Sequence, residues 1–525
     1  MRTHSGFAHV RYAGERELIT IEHRIKSLCR IYLRKKRLDA GASSSQPKFM
    51  RKLGLLLPAA ALSALCAGHA AESWWPQFRG PNASGVSDSA RPPVEFGPGT
   101  NQLWEAPVPP GASSPCVWRD RIFLTDFDNG KLETCAFRRS DGKLLWTRVA
   151  AAEAIEEYNI QEGSPAASTP ATDGRHVVSY FGSCGLVCYD FKGNELWHYK
   201  LPVAQTAGSF GSGGSPLIAG GLVVINRDQA QAKDCSLLAV DLKTGTKAWE
   251  AARPDVSQSF GTPIFWKNSG GDEIVMSGSF KLKGYDLKTG AERWSLAGMP
   301  AFTCTTPVVG DGRLYFAGWA PGKEPGTLPT WESMADQADK NHDGVITEEE
   351  AKAAGFGGFF KAFDLNHDGK LTPEDFEMLK AQTAKGENVM VAVNSGAHGE
   401  LDADKVAWKQ TAGLPYVPSP LYYRGRVYLV KDGGMVSSFD AATGAPFYQK
   451  ERLEAAGSYY ASPVAADGRI YFVSLKGGVT VVAAGGDRPK VLHRAALGER
   501  VSATPALVGK NLYVRTATAL FAFSR

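Results

Sequence analysis

Two twelve-residue stretches place oxygen donors at the spacing a calcium ion requires. The first runs from Asp339 to Glu350. Asp339, Asn341 and Asp343 offer side-chain oxygens on alternate residues, and Gly344 permits the sharp turn that follows. Val345 offers its backbone carbonyl, Thr347 acts through a water, and Glu350 closes the shell with both carboxylate oxygens. The second runs from Asp364 to Asp375, with Asp364, Asn366, Asp368, the Lys370 carbonyl and Thr372 in the same order. Asp375 stands where the first loop has Glu350. Its shorter side chain reaches a two-oxygen grip less easily, so this site is expected to be weaker and more tolerant of magnesium. The chemistry is Ca2+ binding, at two sites.

Such loops need a helix on either side. Met334 precedes the first loop, Phe356, Phe359, Phe360 and Phe363 separate the two, and Phe376 and Leu379 follow the second. That arrangement gives two helix-loop-helix units of EF-hand type over 327–384. They should pack as one paired unit, with Ile346 bridging to its counterpart in the other loop.

The pair interrupts a different pattern. LLAVDLKTGTKAWE (237–250) recurs as LKGYDLKTGAERWS (282–295), with looser copies at 132–147, 186–199 and 436–449. Alternation before Asp241 makes a half-buried strand. Asp241 and Thr244-Gly245 make a hairpin turn, and Trp249 closes the outer strand with its indole N–H seeking a carbonyl between repeats. Before each copy stands Ser or Thr followed by Pro, beginning at Ser114, Thr169, Ser215, Thr262, Thr306, Ser419, Ser462 and Thr504. Proline is tolerated at the first position of a strand, where no ladder donor is needed. Eight starts and eight outer-strand markers predict an all-β, eight-bladed β-propeller of four-stranded blades with a small α-helical insert.

Trp104 precedes the first Ser-Pro, and the chain ends without a fourth strand. The strand at 102–106 is therefore expected to complete the last blade and close the ring. From Trp294 to Trp408 is 114 residues, against 45 for the preceding interval, which puts the insert between the second and third strands of blade 5.

The frame of Ala239, Asp241, Thr244, Gly245 and Trp249 resembles the PQQ-like repeat family, which includes quinoprotein dehydrogenases and BamB-like assembly lipoproteins. The resemblance covers 102–525 without the insert and implies the propeller fold. It is weak evidence for function, because propellers host many functions. The stretch 74–87, WWPQFRGPNASGVS, looks like the leader arm of exported members. The arm, 72–101, is expected to lie on the propeller surface, so that removing 72–98 costs little stability.

Met50 opens a signal-like segment over 50–71: Arg51-Lys52, an apolar run from Leu53 to Leu65, and a small-residue cleavage pattern at Gly68-His69-Ala70. Leu65 before Cys66 argues against lipidation. Residues 1–49 read as an over-extended start or leader. A periplasmic or secreted protein, with no transmembrane anchor after cleavage, is the expectation. The first 71 residues hold 13 Lys and Arg against 4 Asp and Glu, leaving 46 against 50 in the remainder. The overall charge of +5 is thus no sign of nucleic-acid binding. Of the six later cysteines, Cys135 and Cys188 are read as one small-residue slot, equivalent to Ala239, Gly284 and Ser438. Cys116 is read as buried packing, and free thiols are expected for the most part.

The insert and the blade-to-blade loops should share one face of the ring. Just before each Ser/Thr-Pro, those loops carry Phe210, Phe260, Phe302, Tyr416, Tyr459 and Tyr460, a possible aromatic funnel rim. Two functions follow. One is a calcium-stabilised envelope scaffold that binds a protein or a small ligand. The alternative, implied by the resemblance, is a PQQ-dependent oxidoreductase of alcohols or sugars. Such enzymes hold the quinone in the funnel against a Trp and a calcium bound by propeller side chains, commonly with an adjacent Cys-Cys disulfide. No Cys-Cys pair exists here, and no blade calcium set can be assigned. PQQ is therefore not expected, and no catalytic residue is assigned. No Ser-His-Asp, zinc or phosphate-loop pattern appears either.

Overall fold

A computed structural model describes residues 74–525 apart from 258, 325, 403, 404, 454 and 456. The signal segment and the lead before it lie outside the described residues. No helix among the described residues is long and apolar enough to cross a membrane.

Eight sheets succeed one another along the chain, each built on four antiparallel strands in sequence order. Blade 1 is Cys116–Trp118, Arg121–Asp128, Lys131–Arg138 and Leu144–Ala150. Blade 8 takes only three strands from the C-terminus: Ala506–Val508, Asn511–Arg515 and Ala519–Ser524. Gln102–Pro107 supplies its outer strand, with Trp104 opposite Ala522. The expected closure of the ring is observed.

The outer-strand aromatics stand opposite a small residue in nearly every blade. Trp146 faces Ala136, Trp197 faces Cys188, Trp249 faces Ala239 and Trp408 faces Ala392. The first of these corrects the reading of Cys135, which faces Thr147 and lies one position out of register. Arg138 stands at the Asp position of the frame, and Ala136 and Trp146 keep the spacing of Ala239 and Trp249, so the slot belongs to Ala136. Cys188 does occupy the slot, and Cys116 is buried in the inner strand as expected.

Each docked indole reaches into the next blade. Trp197 donates to the Leu242 carbonyl at 2.9 Å and Trp249 to that of Leu287 at 3.0 Å. The ring lies on the glycine of the next Thr-Gly turn. Gly245 has φ +70°, and a Cβ there would meet the Trp197 ring at 2.6 Å, so two constraints select glycine. Asp241 Oδ1 accepts from the Lys243 and Thr244 amides, which holds the turn. Trp294 departs from the pattern and donates to Glu273 within its own blade at 2.9 Å. Blade 5 offers no Thr-Gly turn to receive it; the connection there sends Gly399–Leu401 to pair in parallel with the strand of Trp294.

The Ser/Thr-Pro marker has a role beyond the proline. Ser114 N donates to Thr169 Oγ1, Thr169 N to Ser215 Oγ, and so on through each successive start, until Thr504 N donates back to Ser114 Oγ. All eight bonds measure 2.9–3.1 Å. The proline removes one donor at each inner strand. The residue before it spends its own amide on the neighbouring hydroxyl, so no buried N–H is left bare.

The N-terminal arm does not lie on the outside, contrary to expectation. Trp74–Trp75 pairs with the inner strand of blade 1. Asn82 exchanges two hydrogen bonds with Phe265 of blade 4, and Val86–Ser87 pairs with blade 7. Trp118 and Ala466 end the inner strands of blades 1 and 7, and Phe265 lies on the inner strand of blade 4, so the arm spans inner strands from opposite parts of the ring. Phe78 reaches in beside the hydroxyl ring. Trp75 and Arg79 have no exposed surface. Aromatic and glycine content reads the same for a surface strap and for a plug, and the sequence pattern does not separate the two.

Candidate binding funnel and calcium loops

The insert leaves blade 5 after Arg313–Gly318 and returns at Val389–Val393, as the spacing required. It holds four helices: α1 (Trp331–Ala338), α2 (Glu348–Ala353), α3 (Phe360–Phe363) and α4 (Pro373–Ala384). Met334, Ala338, Ile346, Ala351, Phe360, Leu371 and Phe376 form its own core. Ile346 and Leu371 exchange backbone bonds of 2.9 and 3.0 Å, the bridge foreseen between the loops.

The two loops are alike bond for bond. Asp339 accepts from the Asp343 and Gly344 amides, and Asp364 accepts from those of Asp368 and Gly369. Asn341 and Asn366 accept from the amides of Asp343 and Asp368. Asp343 and Asp368 accept from the amides of Val345 and Lys370. Glu350 Oε2 accepts from Thr347 N and Oγ1, and Asp375 Oδ2 accepts from Thr372 N and Oγ1. Each loop thus turns its acidic oxygens inward around its own backbone.

Among the described residues no three His, Cys, Asp or Glu side chains converge as a cage. The donor set here is mixed: carboxylates, an amide oxygen, a carbonyl and a hydroxyl, the hard-oxygen set that calcium prefers. Asp375 is fully buried and its Oδ1 has no hydrogen-bond partner. A bare buried carboxylate oxygen is costly, and a cation bound in the loop would satisfy it. The residues present fit calcium.

The other hydrophobic surface of the insert faces the funnel. Phe359 turns away from the insert core and packs on Phe210 of the blade 2–3 connection, with centroids 6.1 Å apart; Phe210 in turn meets Phe260 at 6.1 Å. A chamber of about 360 Å³ lies beneath. Phe210, Phe260, Phe302, Tyr416 and Tyr460 line it, and all eight hydroxyl-ring residues form its floor. Tyr459 does not take part. It is buried, with its hydroxyl on the Ala455 carbonyl and its amide on Asp432. Adjacent residues of an extended segment point opposite ways, so Tyr459 and Tyr460 cannot both face the lumen.

One wall was not foreseen. The blade 1–2 connection, 151–167, is longer than any other blade-to-blade connection and crosses the funnel. Asn159 donates to the Gly358 carbonyl of the insert at 2.8 Å, and Glu157 pairs with Lys361 at 2.6 Å. At the far wall the Tyr460 hydroxyl donates to Glu162, and Arg500 donates to the Gln161 carbonyl at 2.8 Å. Glu162 and Gly163 line both the aromatic chamber and a second chamber of about 340 Å³ that contains Arg500 and Arg515. The length of this connection was the available signal; its path was not. Burial pushes the Tyr416 hydroxyl up, and it raises the Cys304 thiol to about 12, so neither ionises near neutrality.

The family model described as "Outer membrane protein assembly factor BamB" matches 135–318 and 370–459, just over half of the chain. The EF-hand model matches 336–352 and 358–380. No curated protein matches. Among solved structures, BamB from Moraxella catarrhalis is similar at TM-score 0.50 and 12% identity, over 81% of this chain and 99% of that one. The computationally designed Ika8 protein is similar at 0.52 and 11%, over 81% and 99%. A quinohemoprotein alcohol dehydrogenase from Pseudomonas putida HK5 is similar at 0.50 and 13%, over 86% and 80%. At such identities the likeness is one of fold.

Proposed function

This chain belongs to the family described as outer membrane protein assembly factor BamB, and from that premise we propose that it is an exported calcium-binding β-propeller serving as a scaffold in the cell envelope. It holds a protein or a small ligand at its funnel, and calcium in the insert sets the state of the funnel roof. The observation that supports this is the docking of the insert: Phe359 in the funnel wall, and Gly358 and Lys361 on the connection that crosses it. The signal-like segment at 50–71 supports export to the periplasm or beyond. When bound, calcium would supply charge neutralisation to Asp339, Asp343 and Glu350 and to Asp364, Asp368 and Asp375. The residues of the insert then hold helices α1 to α4 as one body against the funnel.

The lining of the aromatic chamber does not favour the quinone reading. PQQ carries three carboxylates, and among the described residues the only charged side chain lining the aromatic chamber is Glu162, of the same sign. Among the described residues no tryptophan lines that chamber to stack on the quinone. No redox step is therefore derived.

The test is calcium titration of the purified protein with hydrogen exchange read along the chain. The proposal expects calcium-dependent protection over 329–384 and also over 155–164 and near Phe302 and Tyr416. Protection confined to the insert would reduce it to an independent calcium module. Quinone absorbance and dye reduction with an alcohol, after incubation with PQQ and calcium, would overturn the scaffold reading.

A further inference from the structure

We propose that the aromatic chamber is a site for a small organic cation, an amine or quaternary ammonium, held by ring faces and by the carboxylate of Glu162. This rests on reading the funnel as a binding site, and it adds the chemical class of the occupant.

Charge carries the argument. Phe78 of the arm, five rings of the propeller and Phe359 of the insert surround the chamber, together with Glu162; among the described residues no lysine or arginine lines it. A ring face presents negative quadrupole charge, so any ring that turns its face to a bound cation acts in the same sense as the single formal charge of Glu162. An anion would meet repulsion from Glu162 with no donor cation to offset it. A wholly apolar ligand would leave the eight floor hydroxyls and the carboxylate without partners.

Glu162 is set for this role by its neighbours. The Tyr460 hydroxyl occupies Oε2. That bond orients the carboxylate without neutralising it, because Tyr460 is held in its protonated form by burial. Arg500 is the nearby cation, and it is turned away. It lies over the Tyr460 ring with its guanidinium carbon 5.8 Å from the centroid, donates to the Gln161 carbonyl, and lines the neighbouring chamber. The floor adds a polar end. Each ring hydroxyl accepts an amide, leaving its own proton for a polar tail on the ligand. At about 360 Å³ the chamber is at the small end of ligand pockets.

The test is isothermal titration of the full-length mature protein, calcium present, with choline chloride. Its neutral carbon isostere 3,3-dimethylbutan-1-ol and glucose serve as comparison ligands. Choline should bind saturably, and the neutral isostere about tenfold or more weaker, the difference a desolvated cation–π and carboxylate contact makes. Glu162→Gln should weaken choline about tenfold and leave the isostere unchanged. Arg500→Gln should shift choline affinity the opposite way, because it removes a nearby like charge. Equal binding of choline and isostere, preference for glucose, no choline binding, or affinity shifts of the same sign in the two variants would each overturn the proposal. Should Glu162→Gln fail to fold, the choline–isostere comparison and Arg500→Gln still decide. Calcium-dependent protection of the funnel, measured without choline, tests the scaffold reading separately.

Discussion

Glu156 shows how a single buried carboxyl ties stability to pH. One oxygen accepts from Ser212 Oγ at 2.7 Å; the other has no partner, and the residue is 1% exposed. Burial raises its pKa from 4.5 to about 7, against smaller opposing contributions from Ser212 and Arg227. Below about pH 4.5 both folded and unfolded chains carry the proton, and the folded state has no penalty. As pH rises toward 7 the unfolded chain ionises freely and the folded one resists, so stability falls through that window and then levels. The loss is on the order of 3 kcal/mol. Melting temperature against pH from 4 to 8 should show this fall, and Glu156→Gln should flatten it. In the calcium loops, Glu350→Gln should abolish the tighter site, since a neutral amide cannot chelate through two oxygens. Asp375→Glu should tighten the weaker one. Calorimetric titration of each variant reads both outcomes. The loop residues were legible because each acts within twelve consecutive positions. Glu162 was not, because its partner Tyr460 lies 298 residues away and nothing local marks it.

At the scale of elements, the arm and the insert fared differently. The insert announced its position by interrupting a counted repeat, and its place on the funnel face followed from strand order. Phe359 was read with the insert core because an aromatic at helical spacing suits either side; only its contact with Phe210 separates the two. The arm belongs to no repeat, so pattern alone could not tell a plug from a strap. Its burial reverses the expected cost of truncation. Trp75 is wholly buried, and Trp75→Ala should destabilise by about 3–5 kcal/mol. Removal of 72–98 should lower the melting point by several degrees, measured by calorimetry on the mature protein. A truncation that melts like the intact chain would contradict the plug.

The whole molecule is held by a rim of docked aromatics, interrupted where Trp294 turns to Glu273 of its own blade, and by a closed circuit of hydroxyls at the axis. The rim was legible in the Asp-x-x-Thr-Gly and Trp frame. The axial circuit was visible only as eight hydroxyl residues before proline, whose partners are in neighbouring blades and so cannot be paired from sequence. Any one of them changed to alanine strands the amide of its predecessor. Ser419→Ala leaves Thr306 N without its acceptor and should cost about 1–3 kcal/mol, whereas Ser419→Thr should be tolerated. Denaturant unfolding of the two variants makes the comparison.

Of the described strands, the one that shuts the ring, Gln102–Pro107, is among the earliest to be synthesised, and its partner Ala519–Ser524 is the latest. Chains are made from the N-terminus, and contacts this distant in sequence form slowly. For nearly the whole of synthesis that strand has nowhere to go, and each blade behind it waits with an unclosed neighbour. Closure is therefore timed by the partner strand: a chain that stops short of Ala519 cannot complete the circle, however many blades it has folded.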